Sequence, residues 1–293
     1  MVDKTAEADI GLEHLFGTGD SMPDVYRLTS FAVDALGITV SATMAPQFTN
    51  LRRVIEGTLP GATCSRSRAR GLQAFSTEER IDIVNIGERT DDLEALLLGM
   101  TISLNVVDKC DISQCLDFYR VPSESDEDPE EWHYTELGNF LYRAKYSGSD
   151  GAARTLGRAM VEHVVNHPAL RNSTAVAAIP SSGESRFRPN LPVYWAGVLA
   201  ESLGIPVVEI QRTRTVSSQK SVGSMSKRRE NQTGSMDLEY EVVDQSVLLI
   251  DDLYMGGETM AEGCRALRSA GVRNVFGVAI AKTVKGTTGY QFT

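Results

Sequence analysis

The chain has 293 residues, of which 42% are hydrophobic and 23% are charged, a composition typical of a soluble globular protein with one or two domains. The formal net charge of -10 argues against binding of nucleic acids or anionic membranes through the overall field, but it does not exclude a local basic site. No stretch is apolar for long enough to predict a transmembrane helix, and the acidic N-terminus lacks an apolar signal core, so we expect a cytoplasmic protein.

Residues 1–120 have the pattern of a mixed α/β region. The sequence SMPDVYRLTSFAVDALG, residues 21–37, has apolar residues at helical spacing and ends at Gly37, which predicts a helix. Residues 80–108 predict a strand, a helix and a second strand in RIDIVNIG, ERTDDLEALLLGM and TISLNVVD. No motif in this region indicates a specific chemistry.

An acidic stretch, VPSESDEDPEEW, covers residues 121–132. It contains six acidic residues and two prolines, and it has no apolar residue between Val121 and Trp132. Such a run is typical of a solvated linker, so we expect it to separate the N-terminal region from a domain at residues 133–293.

Predicted strands and helices alternate through residues 133–293. Helical spacing marks YTELGNFLYRAKYSG, GAARTLGRAMVEHVVNH, NLPVYWAGVLAESLG and TMAEGCRALRSAG, and strand-like runs mark TAVAAIPSS, IPVVEI, SVLLIDD and NVFGVAIAKT. Continuously apolar strands that alternate with helices predict a parallel sheet covered on both faces. Ligands bind such sheets at the edge where the strands end, so we expect the site there.

The most informative segment is VLLIDDLYMGGETM, residues 247–260. Its apolar run, residues 247–250, predicts a buried strand that brings Asp251 and Asp252 (the acid pair) to its carboxyl end. Two adjacent carboxylates in a partly desolvated place repel each other, which is costly unless a ligand uses them. A divalent cation or a pair of vicinal hydroxyl groups would fit.

A glycine loop, residues 255–258, follows the acid pair and leads into a helix predicted to begin near Thr259. Gly256 and Gly257 expose backbone N–H groups, and a helix N-terminus carries a partial positive charge, so the loop predicts an anion site. Thr259 would either give its hydroxyl to the anion or cap the helix. The acids and the loop together would suit a ribose 5-phosphate.

Three other interpretations compete with this one. A Walker B strand also ends in acids, but it needs a Gly-x4-Gly-Lys-Ser/Thr loop, and no lysine in the chain follows a glycine. A phosphoacceptor receiver domain carries its acids on its first strand and needs a longer chain after them than follows Asp252. A purely structural role is the third interpretation, but an apolar strand, two acids, a glycine loop and a helix start rarely occur together by chance.

The segment resembles the phosphoribosyl pyrophosphate (PRPP) binding motif of type I phosphoribosyltransferases. In that motif an apolar strand leads to two acids, and a Thr-Thr-Gly-x-Thr/Ser loop holds the 5-phosphate. The resemblance is closest to the ComF-like branch, and it covers about residues 133–283. It extends to LYRAKYSG, RTRTVSSQKSVGSMSKRRENQTGSM and ALRSAGVRNVFGVAIAKT, in the same order. It implies a Rossmann-like, parallel-sheet type I phosphoribosyltransferase fold, with an additional mixed α/β N-terminal region.

The resemblance also implies an activity, which is Mg2+-dependent phosphoribosyl transfer from PRPP to a nitrogenous base or amine, with release of pyrophosphate. Asp251 and Asp252 would be the catalytic acids, holding the ribose 2- and 3-hydroxyls directly or through Mg2+. The 5-phosphate would be held by Met255, Gly256, Gly257, Glu258 and Thr259. The pyrophosphate side would be formed by Ser181, Ser182 and Gly183, with Arg186 and Arg188 close behind them.

Residues 211–236 are basic in an otherwise acidic chain, with six basic residues against one acid. Their serine and glycine content predicts a mobile flap that closes over a highly charged ligand and excludes water. The basic flap residues in question are Lys220, Lys227, Arg228 and Arg229. A solvated charged helix or a nucleic-acid patch would have the same composition.

Two loop positions depart from the family pattern, because Met255 and Gly256 stand where hydroxyl residues are usual. Each lost hydroxyl–phosphate bond would cost about 1.5–3 kcal/mol if nothing replaces it. Glu258 adds a negative charge beside the expected phosphate, and the zinc ribbon often found before this domain in the ComF-like branch is absent. The alternatives are therefore a non-catalytic protein that senses PRPP or nucleotides, and a module linked to DNA metabolism. A homodimer and a nucleic-acid partner are left open.

The cysteines and histidines do not indicate a metal site. Cys110 and Cys115 are the only neighbouring cysteines, and their spacing without a nearby histidine is poor for zinc, so we expect buried thiols in a reducing compartment. His133, His163 and His167 lack an Asp or Cys partner at ligand spacing, which favours surface or core roles.

Overall fold

The computed structural model describes residues 25–34, 37–42, 48–59, 61–66, 78–84, 90–121, 132–181, 187, 189–213, 233–243 and 245–284. The strands in these residues are β1 (Val25–Tyr26), β2 (Leu28–Asp34), β3 (Gly37–Ala42), β4 (Thr63–Arg66), β5 (Glu78–Val84), β6 (Leu104–Val106), β7 (Ile112–Phe118), β8 (Arg120–Val121), β9 (His133–Tyr134), β10 (Ala175–Ala178), β11 (Val207–Val208), β12 (Gln211–Arg212), β13 (Met236–Asp237), β14 (Ser246–Tyr254) and β15 (Asn274–Lys282).

The helices in the same residues are α1 (Phe48–Thr58), α2 (Thr90–Ile102), α3 (Glu136–Ser147), α4 (Asp150–Asn166), α5 (Leu191–Leu203) and α6 (Glu258–Ser269), with a short 3-10 helix at Leu170–Asn172. None of these helices combines the length and the apolar character that a membrane span requires.

The larger sheet contains seven of the described strands, in the order β1-β6-β7-β15-β14-β10-β11. Strands β7, β15, β14, β10 and β11 run parallel to one another, whereas β6 is antiparallel to both β7 and β1. Alternate residues of β14 pack on opposite faces, because Leu248 and Ile250 join the core cluster that contains α4 and α5, and Val247 and Leu249 join the cluster that contains α6. The expected α/β architecture, with a parallel sheet covered on both faces, is confirmed.

The second sheet contains four antiparallel strands in the order β2-β3-β5-β4, and α1 and α2 pack near it. The helix predicted over residues 21–37 is wrong, because this stretch contains β1 and β2 instead. Partly buried Phe31 and Val33 alternate with exposed Ser30 and Ala32, which suits a strand. Gly37 does not end a helix; it lies in β3, where a Cβ atom would collide with the carbonyl oxygen of Ile81 on β5.

The strand, helix and strand predicted over residues 80–108 are present as β5, α2 and β6. They do not form one unit, because β5 lies in the four-stranded sheet and β6 lies in the seven-stranded sheet. Strand β7 was not predicted, since its buried positions include the polar residues Ser113 and Gln114. Gln114 is satisfied inside the protein by Asn105, at 3.0 Å, and by His163, at 2.8 Å.

The C-terminal helices and strands follow the predicted order, with two differences in length. Strand β14 does not end at the acid pair but continues to Tyr254, and β11 covers only two residues of the predicted strand IPVVEI. The domain boundary near residue 120 stays a prediction, although the seven-stranded sheet contains β1, β6 and β7 from before that point. Of the predicted acidic linker, residues 121–132, the part from 122 to 131 lies outside the described residues.

Candidate ligand-binding site

The site is built where β10 and β14 end side by side. The two strands are parallel, with Ala178 in register with Ile250, and the N–H of Ile179 donates to the carbonyl oxygen of Ile250 at 2.9 Å. The next residues along β10, Pro180 and Ser181, therefore lie beside the acid pair. Sequence-predicted residues from two distant segments meet here because of this register.

Asp251 is buried, with 9% of its surface exposed, and Asp252 is partly exposed. The backbone N–H of Asp252 donates to Oδ1 of Asp251 at 2.8 Å. Burial and then repulsion from Asp252 raise the pKa of Asp251 to about 7, and this hydrogen bond and two nearby cations offset only part of the rise. Near neutral pH the acid pair therefore carries less than two full negative charges.

Lys145 of α3 neutralises the second acid, because its Nζ lies 2.6 Å from Oδ2 of Asp252. Burial alone would lower the pKa of Lys145, but the attraction and the hydrogen bond of Asp252, together with Tyr146 and Asp251, outweigh burial and raise it. Helix α3 is held in place at its start, where Thr135 accepts the N–H of Gly138 and donates to the carbonyl of Phe118 at the end of β7. The structure thus fixes the lysine opposite the acid.

Arg212 of β12 connects the end of β10 with the acid pair. Its Nε and Nη2 donate to the carbonyl of Pro180 at 3.1 and 3.0 Å, and its Nε also donates to the carbonyl of Ser181 at 2.9 Å. Burial lowers the pKa of Arg212, while the nearby Asp251 opposes this effect. Its Nη1 is buried and has no hydrogen-bond partner among the described residues, so it could donate a hydrogen bond to a ligand at this edge.

The glycine loop joins β14 to α6 and is supported from below. Gly257 precedes the helix with φ of 88°, and a Cβ atom at this position would lie 3.0 Å from Cζ of Tyr254. Buried Lys282, at the end of β15, donates its Nζ to the carbonyl of Met255 at 2.9 Å. The hydroxyl of Tyr254 donates to Oδ2 of partly buried Asp108 at 2.9 Å. These contacts hold the backbone of the loop against the sheet.

Helix α6 begins at Glu258, one residue before the predicted start. Gly257 occupies the cap position and no side chain among the described residues caps the helix there, so Thr259, the second residue of the helix, does not act as its cap. Glu258 does not point to solvent, because only 7% of it is exposed and its carboxylate lies against Gly256. Both carboxylate oxygens lack a hydrogen-bond partner within the described part of the chain.

A row of tyrosines runs beside the site. The ring centroids of Tyr119 and Tyr134 are 5.1 Å apart, those of Tyr134 and Tyr142 are 5.2 Å apart, and those of Tyr142 and Tyr146 are 5.2 Å apart. Tyr142 and Tyr146 on α3 are exposed, at 42% and 37%, and Tyr146 follows Lys145 in the chain. The row therefore presents aromatic surface to solvent on the helix that neutralises the acid pair.

The structure brings together the predicted residues of two segments. Asp251 and Asp252 lie next to Ser181, and β14 leads from them into Met255, Gly256, Gly257, Glu258 and Thr259. The other predicted residues, which are Ser182, Gly183, Arg186, Arg188, Lys220, Lys227, Arg228 and Arg229, lie outside the described residues. Their roles stay predictions.

Sequence reasoning missed Lys145, Arg212 and Lys282 as site residues. Lys145 belongs to LYRAKYSG and Arg212 begins the basic segment, so both lie in stretches that carry the family resemblance. Nothing in the sequence showed that their side chains reach the acid pair or the end of β10. Lys282 ends the apolar strand NVFGVAIAK, and a lysine in such a run was the signal that could have been noticed in the sequence. The structure shows that this lysine is buried.

The acid pair fits a partly coordinated Mg2+ ion. Within the described part of the chain, no group of three or more His, Cys, Asp or Glu side chains is arranged to hold a metal ion by itself. Mg2+ is commonly held by one or two carboxylates together with waters and ligand phosphates. Lys145 already engages Oδ2 of Asp252, so a Mg2+ ion at the acid pair would take its remaining ligands from water and from a phosphorylated ligand.

Comparison with known proteins shows a similarity for this part of the chain. Residues 156–288 match the family model described as phosphoribosyl transferase domain. No curated protein matches the sequence significantly.

Three solved structures illustrate the structural similarity. Phosphoribosylpyrophosphate synthetase from Mycobacterium smegmatis has 21% identity and a TM-score of 0.30, and the match covers 44% of this chain and 33% of that chain. Orotate phosphoribosyltransferase from Aeropyrum pernix has 16% identity and a TM-score of 0.32, and the match covers 55% of this chain and 72% of that chain. Adenine phosphoribosyl transferase from Trypanosoma brucei, in complex with AMP, pyrophosphate and ribose-5-phosphate, has 14% identity and a TM-score of 0.33, and the match covers 56% of this chain and 74% of that chain. These TM-scores are low, so the similarity rests on the sequence match. Residues 156–288, a little under half of the chain, are therefore similar to phosphoribosyl transferase domains.

Proposed function

We propose that the protein is a phosphoribosyltransferase that transfers the phosphoribosyl group of PRPP to a nitrogenous base and releases pyrophosphate. One observation carries the proposal, which is the convergence of the acid pair, the glycine loop and the end of β10 at one edge of the sheet. Membership of the ComF-like branch is part of the proposal and is supported by the sequence resemblance alone.

In the proposed reaction, the bond from the anomeric carbon to the pyrophosphate oxygen breaks, and its electron pair leaves with pyrophosphate. A lone pair of the acceptor nitrogen forms the new bond, and the nitrogen loses its proton to solvent. The acid pair would hold the ribose hydroxyls and stabilise positive charge that develops on the ring. Nη1 of Arg212, which has no hydrogen-bond partner among the described residues, would donate to the leaving group.

Asp251 and Asp252 are the residues that would hold Mg2+. When bound, the ion would neutralise charge on the departing pyrophosphate. The raised pKa of Asp251 is consistent with a site that waits for positive charge, since a cation or a donor hydroxyl would favour the ionised carboxylate.

The tyrosine row favours a planar acceptor over an aliphatic amine. Tyr142 and Tyr146 present exposed rings beside Lys145, and planar heterocycles stack on such rings. Tyr142→Leu and Tyr146→Leu should each raise KM for the base at least threefold and leave KM for PRPP unchanged. Tyr240→Leu, at another exposed tyrosine, is the matched control.

The main test is an assay of pyrophosphate release from PRPP and Mg2+ with a panel of bases. Release should saturate with one base and vanish in the double variant Asp251→Asn/Asp252→Asn, while Glu201→Gln, at an exposed position on α5, should retain it. Absence of PRPP binding at millimolar concentration would overturn the proposal.

A second candidate is a protein that senses PRPP or a nucleotide without turnover. The Glu258 carboxylate inside the glycine loop favours it, because a negative group there opposes a bound phosphate. Saturable binding of PRPP by calorimetry, without pyrophosphate release for any base, would support this candidate over the enzyme.

A further inference from the structure

The glycine loop already holds a carboxyl group that belongs to the protein. A Cβ atom at Gly256 would lie 2.7 Å from Oε1 of Glu258, so the carboxylate fills the space that this glycine leaves open. Glu258 is the first residue of α6, and its carboxylate is more than nine-tenths buried. The side chain therefore occupies the part of the loop where the bare backbone and the helix N-terminus favour negative charge.

The carboxylate is not held there by a partner. Neither oxygen has a hydrogen-bond partner among the described residues, which is unusual for a buried carboxylate. By contrast, Glu262 on the next turn of the same helix accepts hydrogen bonds from Arg265 and from the N–H of Met236. Glu258 can therefore leave the loop without breaking a hydrogen bond to any described residue, and leaving exposes its carboxyl group to water.

We propose that Glu258 is the resident anion of the 5-phosphate subsite and must leave the glycine loop before the phosphate of a ligand binds. The inference rests on the proposed function, because it takes the loop as the 5-phosphate subsite. The two anions repel each other and would occupy the same part of the loop, so Glu258 lowers the affinity for phosphorylated ribose. It is a specificity-determining residue that weakens binding of phosphorylated ligands and has no direct effect on ribose itself.

The experiment compares the wild type with Glu258→Gln, which removes the charge, and Glu258→Thr, which removes the charge and shortens the side chain. Glu201→Gln on α5 makes the same charge change at an exposed position and is the control. Calorimetric titrations use inorganic phosphate, ribose 5-phosphate and ribose, and thermal unfolding verifies that each variant is folded. Both Glu258 variants should bind inorganic phosphate and ribose 5-phosphate at least tenfold more tightly, with ribose binding and the control unchanged.

The outcomes separate this proposal from the proposed function. Unchanged or weaker phosphate binding in both folded variants would overturn the proposal, and so would an absence of phosphate binding in every protein. Tighter phosphate binding without PRPP turnover by any variant would support the role of Glu258 and count against the transferase. Turnover that depends on the acid pair, with phosphate affinity independent of Glu258, would support the transferase and count against the role of Glu258.

Discussion

The acid pair and Glu258 lie a few residues apart in the chain, yet the protein accommodates their charges in different ways. Asp252 has a cationic partner in Lys145, and the pKa of Asp251 is raised to about 7, so it holds a proton for much of the time near neutral pH. Glu258 has no hydrogen-bond partner in the described part of the chain, and it is the first residue of α6. Both places are buried, but only the acid pair is compensated by groups from distant segments.

This difference indicates how the two halves of the site are prepared. Compensation of the acid pair keeps two adjacent carboxylates folded and ready for hydroxyl groups or a cation. The Glu258 carboxylate, which has no hydrogen-bond partner among the described residues, lowers the stability of the fold locally, and proteins retain such destabilising groups at functional sites. Removal of a charge partner from the acid pair should therefore lower the free energy of unfolding, whereas removal of the Glu258 carboxylate should not.

The largest effect is expected from the loop backbone. Gly257→Ala should lower the free energy of unfolding by about 3 kcal/mol, because the new methyl group meets the Tyr254 ring and alanine is disfavoured at positive φ. Gly271→Ala is the matched control, since its φ is 92° but the nearest atom to a new Cβ is at 3.4 Å, so it should cost only about 1 kcal/mol. Equal losses by chemical denaturation would show that Tyr254 does not constrain the loop.

The compensated end is tested at Lys145. Lys145→Met should lower the free energy of unfolding by about 2 kcal/mol, because it leaves Asp252 without its cation, and partial exposure of both groups limits the loss. The double variant Lys145→Met/Asp252→Asn should regain most of this loss in urea titrations. If the second substitution only adds to the first, the ion pair does not compensate the acid pair.

His167 is a buried titratable group outside the site that is neutral near pH 7. Burial lowers the pKa of His167 to about 3, and its Nδ1 accepts the N–H groups of Ala169 and Leu170 at 3.2 and 3.3 Å. The folded pKa is below the unfolded value, so the unfolded chain binds the proton first and stability falls as pH decreases below about 6.5. Between pH 7.5 and 5.5 this histidine should account for a loss of about 1.5 kcal/mol.

His167→Asn is the matched variant for this prediction, because asparagine keeps an acceptor but does not titrate. Its free energy of unfolding should fall less than that of the wild type over the same pH interval, in parallel denaturant titrations. An identical fall in both proteins would mean that other groups set the acid sensitivity.

The smallest effect is a coupling within the loop. Gly256→Ala should cost about 1 kcal/mol in the wild type, because its methyl group displaces the Glu258 carboxylate, and close to nothing in a Glu258→Ala background. Glu258→Ala alone should not destabilise the protein, in contrast to Lys145→Met. Additive losses in this double-mutant cycle would place the carboxylate away from Gly256.

Much of the site could be predicted from local pattern. An apolar strand, two acids, glycines and a helix start are close in the chain, so their order alone predicts that Asp251, Asp252 and the glycine loop share one edge of a sheet. The alternation of elements likewise predicted the parallel sheet. Prediction failed at β2 and β7, because pairing with neighbouring strands decided the first and a buried polar network decided the second.

The amino-acid sequence by itself determined the order of the elements, the acid pair and the bare backbone beside it. Only the tertiary structure decided that Lys145 and Arg212 reach this edge and that Lys282 supports the loop. It also decided that Glu258 turns into the loop rather than toward water. The physical reason is that charge compensation depends on distances between side chains that are far apart in sequence, whereas strand and helix patterns depend on neighbours along the chain.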